Sequence, residues 1–280
     1  MYQLSNINNN YSGFQKLISF YDHFKDLWFD DIHLELKNFF AANMCAALGS
    51  ILEKMTLQLN DLHISVDSGI GKVLQKNHFL NQYGFENLLD DKNTTIPFNK
   101  FDRSESKKFT GYVMTELMPR QGMPTMSEKL KLRISSAIGE IFANSSMHTD
   151  SPFIFACGQF FPQNKTLDFT IADMGEGIKN KVNTFLQEKK GATDAIKWAL
   201  IDGNTTKEGA PGGYGLSILK DLIGLNKGFM QIISNEGFYE YNNGQTETYK
   251  QFNGEFPGTV INLQFMTDDT AAYCLKSEKI

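Results

Sequence analysis

Apolar residues recur along this chain in two rhythms, and the switches between them mark out elements. Alternating apolar and polar positions make "DIHLEL" (31–36) and "LHISVD" (62–67) strands. After each comes a stripe at helical spacing, in "AANMCAALGSILEKM" and then "IGKVLQKNHFLNQYGF". That β-α-β-α order predicts a small α/β unit over residues 1–92. The polar stretch "LDDKNTT", Leu89 to Thr95, reads as the connector to a second unit over 93–280. That unit opens with a strand-like "TTIPFNKF" and a helical segment that stops at Pro119.

A long helix is expected from Met126 to His148 with Ser127 as its N-cap, because Leu132, Ile134, Ala137, Ile138, Ile141 and Phe142 recur at helical spacing. "PFIFACGQFF" and "TLDFTIAD" alternate as two strands joined through "PQNK", a hairpin. "MGEGI" is a glycine turn, "KNKVNTFL" and "ATDAIKWALIDG" are helical, and "NTTKEGAPGG" is a loop. "YGLSILKDLIGLN" is a helix, and "GFMQIISNEG", "FYEYN" and "GTVINLQF" are strands. Helices gathered beside a mostly antiparallel sheet give the expected class, α/β (α+β).

Composition narrows the picture. A length of 280 residues fits two domains of about 150 each. A hydrophobic content of 41% with 23 phenylalanines is ample for real cores, which argues against wholesale disorder. A net charge of -5 gives no electrostatic footprint for nucleic acid. No apolar run is long enough to span a bilayer, and "MYQLSNINNN" lacks a signal pattern. Cys45, Cys157 and Cys274 have no metal-ligand spacing, so a soluble cytoplasmic protein is expected.

Three features carry candidate chemistry. Glu140, Asn144 and His148 repeat every four residues and form one polar line along the long helix; taken alone, that line is a solvated face. In "IADMGEGI", a strand ends in Asp173, and Gly175 and Gly177 follow. The glycines allow close backbone approach and the carboxylate can accept from an exocyclic amine, although a tight turn with an Asp cap reads equally well. Asn180 at the sixth position breaks the dinucleotide fingerprint. In "APGGYGLSILK", Gly212, Gly213 and Gly215 open a helix whose free N–H groups suit an anion. Thr205, Thr206 and Lys207 lie in the loop before it, which can fold over a polyphosphate as a lid. Alone, this too is an ordinary helix entry.

The order of these blocks, Glu-x-x-x-Asn, Asp-x-Gly-x-Gly, a loop ending in Gly-x-Gly-Leu and a late Gly-Thr, resembles the ATP-binding domain shared by DNA gyrase, Hsp90 chaperones, sensor histidine kinases and MutL. That is the GHKL or Bergerat fold, and the resemblance covers roughly residues 95–270. It implies helices on one face of a mixed, mostly antiparallel sheet, with ATP and Mg²⁺ as cofactors. It further implies that Asn144 holds Mg²⁺, that Glu140 polarises the attacking water or hydroxyl, and that Asp173 receives the adenine amine in a pocket shaped by Gly175 and Gly177. Gly212, Gly213, Tyr214, Gly215 and Leu216 fall on the phosphate side, with Thr206 and Lys207 in the lid. Thr259 in "FPGTVINL" supports the adenine through water, and His148 is a phosphate-side position. Pro211 departs from the family's lid glycine.

"GGYGLSILKDLIGLNKGFMQIIS" resembles histidine kinases and anti-sigma-factor serine kinases, but His23, His33, His63 and His78 lack a phosphoacceptor setting, which argues against phosphorelay. Residues 1–92 resemble a STAS domain, the anti-sigma-factor-antagonist fold. Where that family carries its phosphorylated hydroxyl, this chain has Ala41, Ala42, Asn43 and Met44, so docking or regulation is implied. The expected function is Mg²⁺-ATP binding with slow hydrolysis or phosphotransfer as a regulatory switch. A nucleotide-sensing interaction module without turnover, and a serine kinase of a separate anti-sigma-antagonist-like protein, are the alternatives. The expected partners are ATP or ADP and a regulatory protein, without nucleic acid or membrane. Dimers are common in the superfamily.

Overall fold

The computed structural model describes residues 1–146, 152–206 and 213–278. The N-terminal lobe runs β1 (Tyr2–Ile7), α1 (Tyr11–Phe24), β2 (Asp31–Phe40), α2 (Cys45–Leu57), β3 (Asp61–Val66) and α3 (Ser68–Lys76). Its sheet has the order β1-β2-β3 and is parallel throughout, as helical crossovers between strands require. The apolar pattern assigned nothing before Asp31, so β1 and α1 enlarge the expected unit. Asn10 caps α1 by accepting the Gly13 N–H at 3.0 Å, and Phe14, Leu17, Ile18 and Phe20 face inward. The helix foreseen through Phe85 stops at Lys76, because His78 takes a left-handed φ of 65° and the chain resumes as a short 3₁₀ turn.

The remaining chain forms β4 (Thr95–Asp102), α4 (Ser106–Tyr112), β5 (Thr125–Met126), α5 (Glu128–Ser146), β6 (Phe153–Phe161), β7 (Thr166–Asp173), α6 (Gly177–Leu186), α7 (Ala192–Ala199), α8 (Gly215–Asn226), β8 (Phe229–Asn242), β9 (Thr246–Met266) and β10 (Ala272–Tyr273). The main sheet has five strands in the order β4-β6-β7-β9-β8, and every pairing is antiparallel. Its hairpins, β6–β7 and β8–β9, impose that direction, so the expected mixture of directions does not occur in this sheet. "GFMQIISNEG" and "FYEYN" are one strand, continuous through a bulge at Ser234, Asn235 and Gly237.

Both faces of the sheet are covered, and β7 is buried along its whole length. Leu167, Phe169 and Ile171 pack against Ile138 and Phe142 of α5 and Leu219 and Ile223 of α8. On the other face Ala172, Val260 and Cys157 join a cluster with Met44, Leu48 and Leu52 of the N-terminal lobe. The resemblance implied helices on one face, and this lobe adds α1 and α2 on the other.

Beside that apolar contact runs a buried amide ladder. Asn43 Nδ2 donates to Thr170 Oγ1 (3.0 Å) and Asn262 Oδ1 (3.3 Å). Asn262 Nδ2 donates in turn to Asn9 Oδ1 and Gln231 Oε1. The Asp168 carboxylate accepts from Asn9 (3.0 Å) and Gln264 (2.8 Å). Burial pushes the Asp168 carboxyl up to about 6 against the lowering effect of those two amides. Among the described residues no helix is long and apolar enough to cross a membrane.

Candidate functional site

The site begins with how α5 is started and seated. The Leu130 N–H donates to Ser127 Oγ at 3.2 Å, the N-cap that the sequence predicts. Ile134, Ile138 and Phe142 anchor the helix to the sheet. The adjoining face brings half-buried Glu140 and exposed Asn144 to a cavity of about 340 Å³ between the helices and the sheet. His148, the third member of the polar line, lies outside the described residues.

Asp173 lies at the closed end of the cavity, only 4% exposed, at the last position of β7. Its Oδ1 accepts the Gly175 N–H (2.9 Å) and the Thr259 N–H (3.2 Å). Thr259 stands directly opposite in the β7–β9 register, and its hydroxyl pairs with Ser234 Oγ at 3.0 Å. Ser234 Oγ also takes the Ile178 N–H at 2.7 Å, which ties the start of α6 to β8. Gly177 has φ 82°, and a Cβ there would collide with the Asn235 side chain. Asn235, set at the β8 bulge, accepts from Lys179 N–H and donates to the Glu176 carbonyl. Gly175 and Gly177 therefore shape the turn, but neither borders this cavity.

Apolar walls rise from this floor. Ile171 and Ile261 come from the sheet, Ile141 from α5, Ile178 and Val182 from α6, Trp198 from α7 and Leu216 from α8. No protein-family model matches this chain, and no curated protein matches it. The chemistry of the site is therefore read from its own residues.

At the open end the Gly213 N–H donates to Glu140 Oε1 at 2.6 Å. Gly213 has φ 83° and packs against the Asn204 backbone, where a side chain would not fit. Gly215 sits so close to α5 that a Cβ would stand 3.0 Å from the Ala137 carbonyl and 3.1 Å from Glu140 Oε2. Thr205 and Thr206 also border the cavity. Tyr214 is 48% exposed and does not border it. Lys207, Gly212 and Pro211 lie outside the described residues.

The sequence reading missed Lys181, Trp198 and Asn204. Lys181 Nζ donates to the Asn144 carbonyl at 3.2 Å, and Asn204 Nδ2 donates to the Trp198 carbonyl at 2.8 Å. Ile178, Lys181 and Val182 fall at i, i+3 and i+4, so the periodicity of α6 carried the signal for Lys181.

Among the described residues no three His, Cys, Asp or Glu side chains form a metal cage. The Glu140 carboxylate and the Asn144 amide are oxygen donors, the kind a hard cation accepts when it keeps its remaining waters. The whole is an apolar slot with a buried acceptor at one end and hard oxygens, a lysine and backbone N–H groups at the other. That suits a flat heteroaromatic amine with an anionic tail.

Proposed function

We propose that this chain is a GHKL-type protein that binds Mg²⁺-ATP in this cavity and uses slow hydrolysis or phosphotransfer as a regulatory switch. The observation that carries the reading is convergence. Glu140, Asn144, Asp173, Gly213, Gly215 and Thr259, taken from separate blocks of the sequence, border one cavity. Asp173 suits the adenine amine, because carboxyl oxygens accept hydrogen bonds, and the isoleucine walls suit the ring faces. The start of α8 and Lys181 favour the phosphates. Asn144 would hold Mg²⁺, which when bound supplies charge neutralisation on the phosphates. Glu140 would take the proton of the attacking water as the β–γ bridge breaks and ADP leaves.

The test pairs ATP binding with ADP release. Glu140→Ala is expected to retain binding and lose turnover, and Asp173→Ala to lose binding. A Glu140→Ala protein that turns over at the parent rate removes the catalytic assignment, and a parent that binds no ATP removes the whole reading.

A second reading, nucleotide sensing without turnover, is favoured by Asn43. It stands at the STAS-like phosphoacceptor position, has no hydroxyl, and is sealed against Thr170 and Asn262. The lobe is then a fixed cover that presents a surface to a regulatory partner in the cytoplasm. Tight ATP binding with no ADP release selects this reading. Transfer of labelled phosphate to a separate protein's serine selects the kinase alternative.

A further inference from the structure

The N-terminal lobe carries an apolar platform whose residues do not border the cavity. The loop between α1 and β2 forms it together with the C-terminal end of α2 and the loop that leads to β3. Trp28, Phe29, Leu57 and Leu59 are 58%, 75%, 51% and 60% exposed there. Two of the four are held in a backbone conformation that bulky residues avoid: Phe29 has φ 56° and Leu59 has φ 62°.

Polar clamps impose this conformation. Asn60, itself buried, donates to the carbonyls of Leu27 (3.0 Å) and Met55 (3.1 Å) and accepts the Asp30 N–H (3.0 Å). Gln58 Nε2 holds the Lys25 carbonyl at 2.7 Å, and the Asp61 N–H donates to the Asp30 carbonyl at 2.9 Å. Strain of this kind persists only where the surroundings over-determine it. Here it holds two large apolar side chains out in water.

The rim supplies the sign of the partner. Asp26, Asp30, Asp31 and Asp61 are exposed around the platform. Of the neighbouring basic residues, the Lys25 ammonium is tied to Asp22 at 2.9 Å and the His63 ring meets Asp31 at 2.9 Å. A second copy of this chain would set acidic rim against acidic rim, and an anionic membrane would be repelled. A segment with apolar anchors flanked by Lys or Arg complements both the centre and the edge.

We propose that Trp28, Phe29, Leu57 and Leu59 form a docking surface for an apolar, basic protein segment. The test titrates the full chain with a labelled, stapled amphipathic peptide, with leucines at i, i+3, i+4 and i+7 and lysines elsewhere. Its twin carries glutamate in place of lysine. The lysine peptide is expected to bind saturably, and the glutamate twin at least about tenfold more weakly. Phe29→Gly/Leu59→Gly should weaken lysine-peptide binding by about tenfold or more without lowering Tm, because glycine accepts the left-handed backbone.

Should that variant lower Tm, Asp30→Lys/Asp61→Lys decides instead, with preference expected to shift towards the glutamate twin. No saturable binding of the lysine peptide, equal binding of both twins, or binding untouched by the variants overturns the proposal. So does a dimer of the parent that the glycine variant abolishes, which would assign the platform to a second copy.

Discussion

Asp168 and Asp173 sit on one strand, and the pleat and the strand end give them opposite surroundings. Asp173 faces the cavity floor and holds two backbone N–H groups. Asp168 lies under the N-terminal lobe, where burial lifts its carboxyl to about 6 from the ordinary 3.8. A raised carboxyl contributes stability that is fully present below the unfolded value and lost as pH rises through the folded one. The gap corresponds to roughly 3 kcal/mol at most. The parent should therefore lose stability relative to Asp168→Asn as pH rises from about 4 to about 6, and the difference should level off above that; urea midpoints at stepped pH measure it. Gly177 makes a second prediction at this scale. Alanine there meets a left-handed backbone, at about 1–2 kcal/mol, and collides with Asn235. Gly177→Ala should lower Tm and, under the proposed function, ATP affinity as well, since the turn that seats Asp173 must shift; calorimetry and a binding titration read the two effects.

The elements differ in how far the sequence alone discloses them. Helix α5 is legible across its described part from its N-cap and apolar stripe, although Leu132, counted in that stripe, is 59% exposed. Ser127→Ala should cost about 1 kcal/mol of folding stability, read from the shift in urea midpoint. Strand β7 is legible as alternation, but the alternation does not disclose that its polar face is covered; Asp168 and Thr170 are buried under the lobe. Helix α1 escaped notice although Phe14, Leu17 and Ile18 keep helical spacing, for the Asn-rich stretch before it, Asn6 to Asn10, reads as a loop. The β8 bulge was invisible, since only pairing with β9 gives Asn235 its φ of 52°. Of the candidate site, Glu140, Asn144, Asp173, Gly213, Gly215 and Thr259 are legible by type and order, whereas Lys181 and Asn204 are not. Its walls were not, because Ile171 and Ile261 look like any core residues until the sheet sets their face.

At the scale of the molecule, the lobe and the main sheet share one buried cluster rather than meeting at a wet boundary. Heat or urea should therefore unfold the chain in a single transition, with fluorescence and far-UV dichroism coincident. Residues 93–280 made alone would bare Phe155, Ala172, Ile233 and Val260 together with the amide ladder, and should aggregate; light scattering of the two proteins compares them.

The strand order carries a consequence for synthesis. Strand β9 lies between β7 and β8, so Thr166–Asp173 has to wait for Thr259–Met266 before its second ladder can form. Asn9 waits longer still for Asn262. A nascent chain thus carries β7 paired on one side only, with β6, until Thr259–Met266 emerges. Contacts of such long sequence separation make closure slow. A chain ending before Thr259 would leave β7 with β6 as its one strand partner and Asn43 without Asn262, an open edge of the kind that chaperones bind.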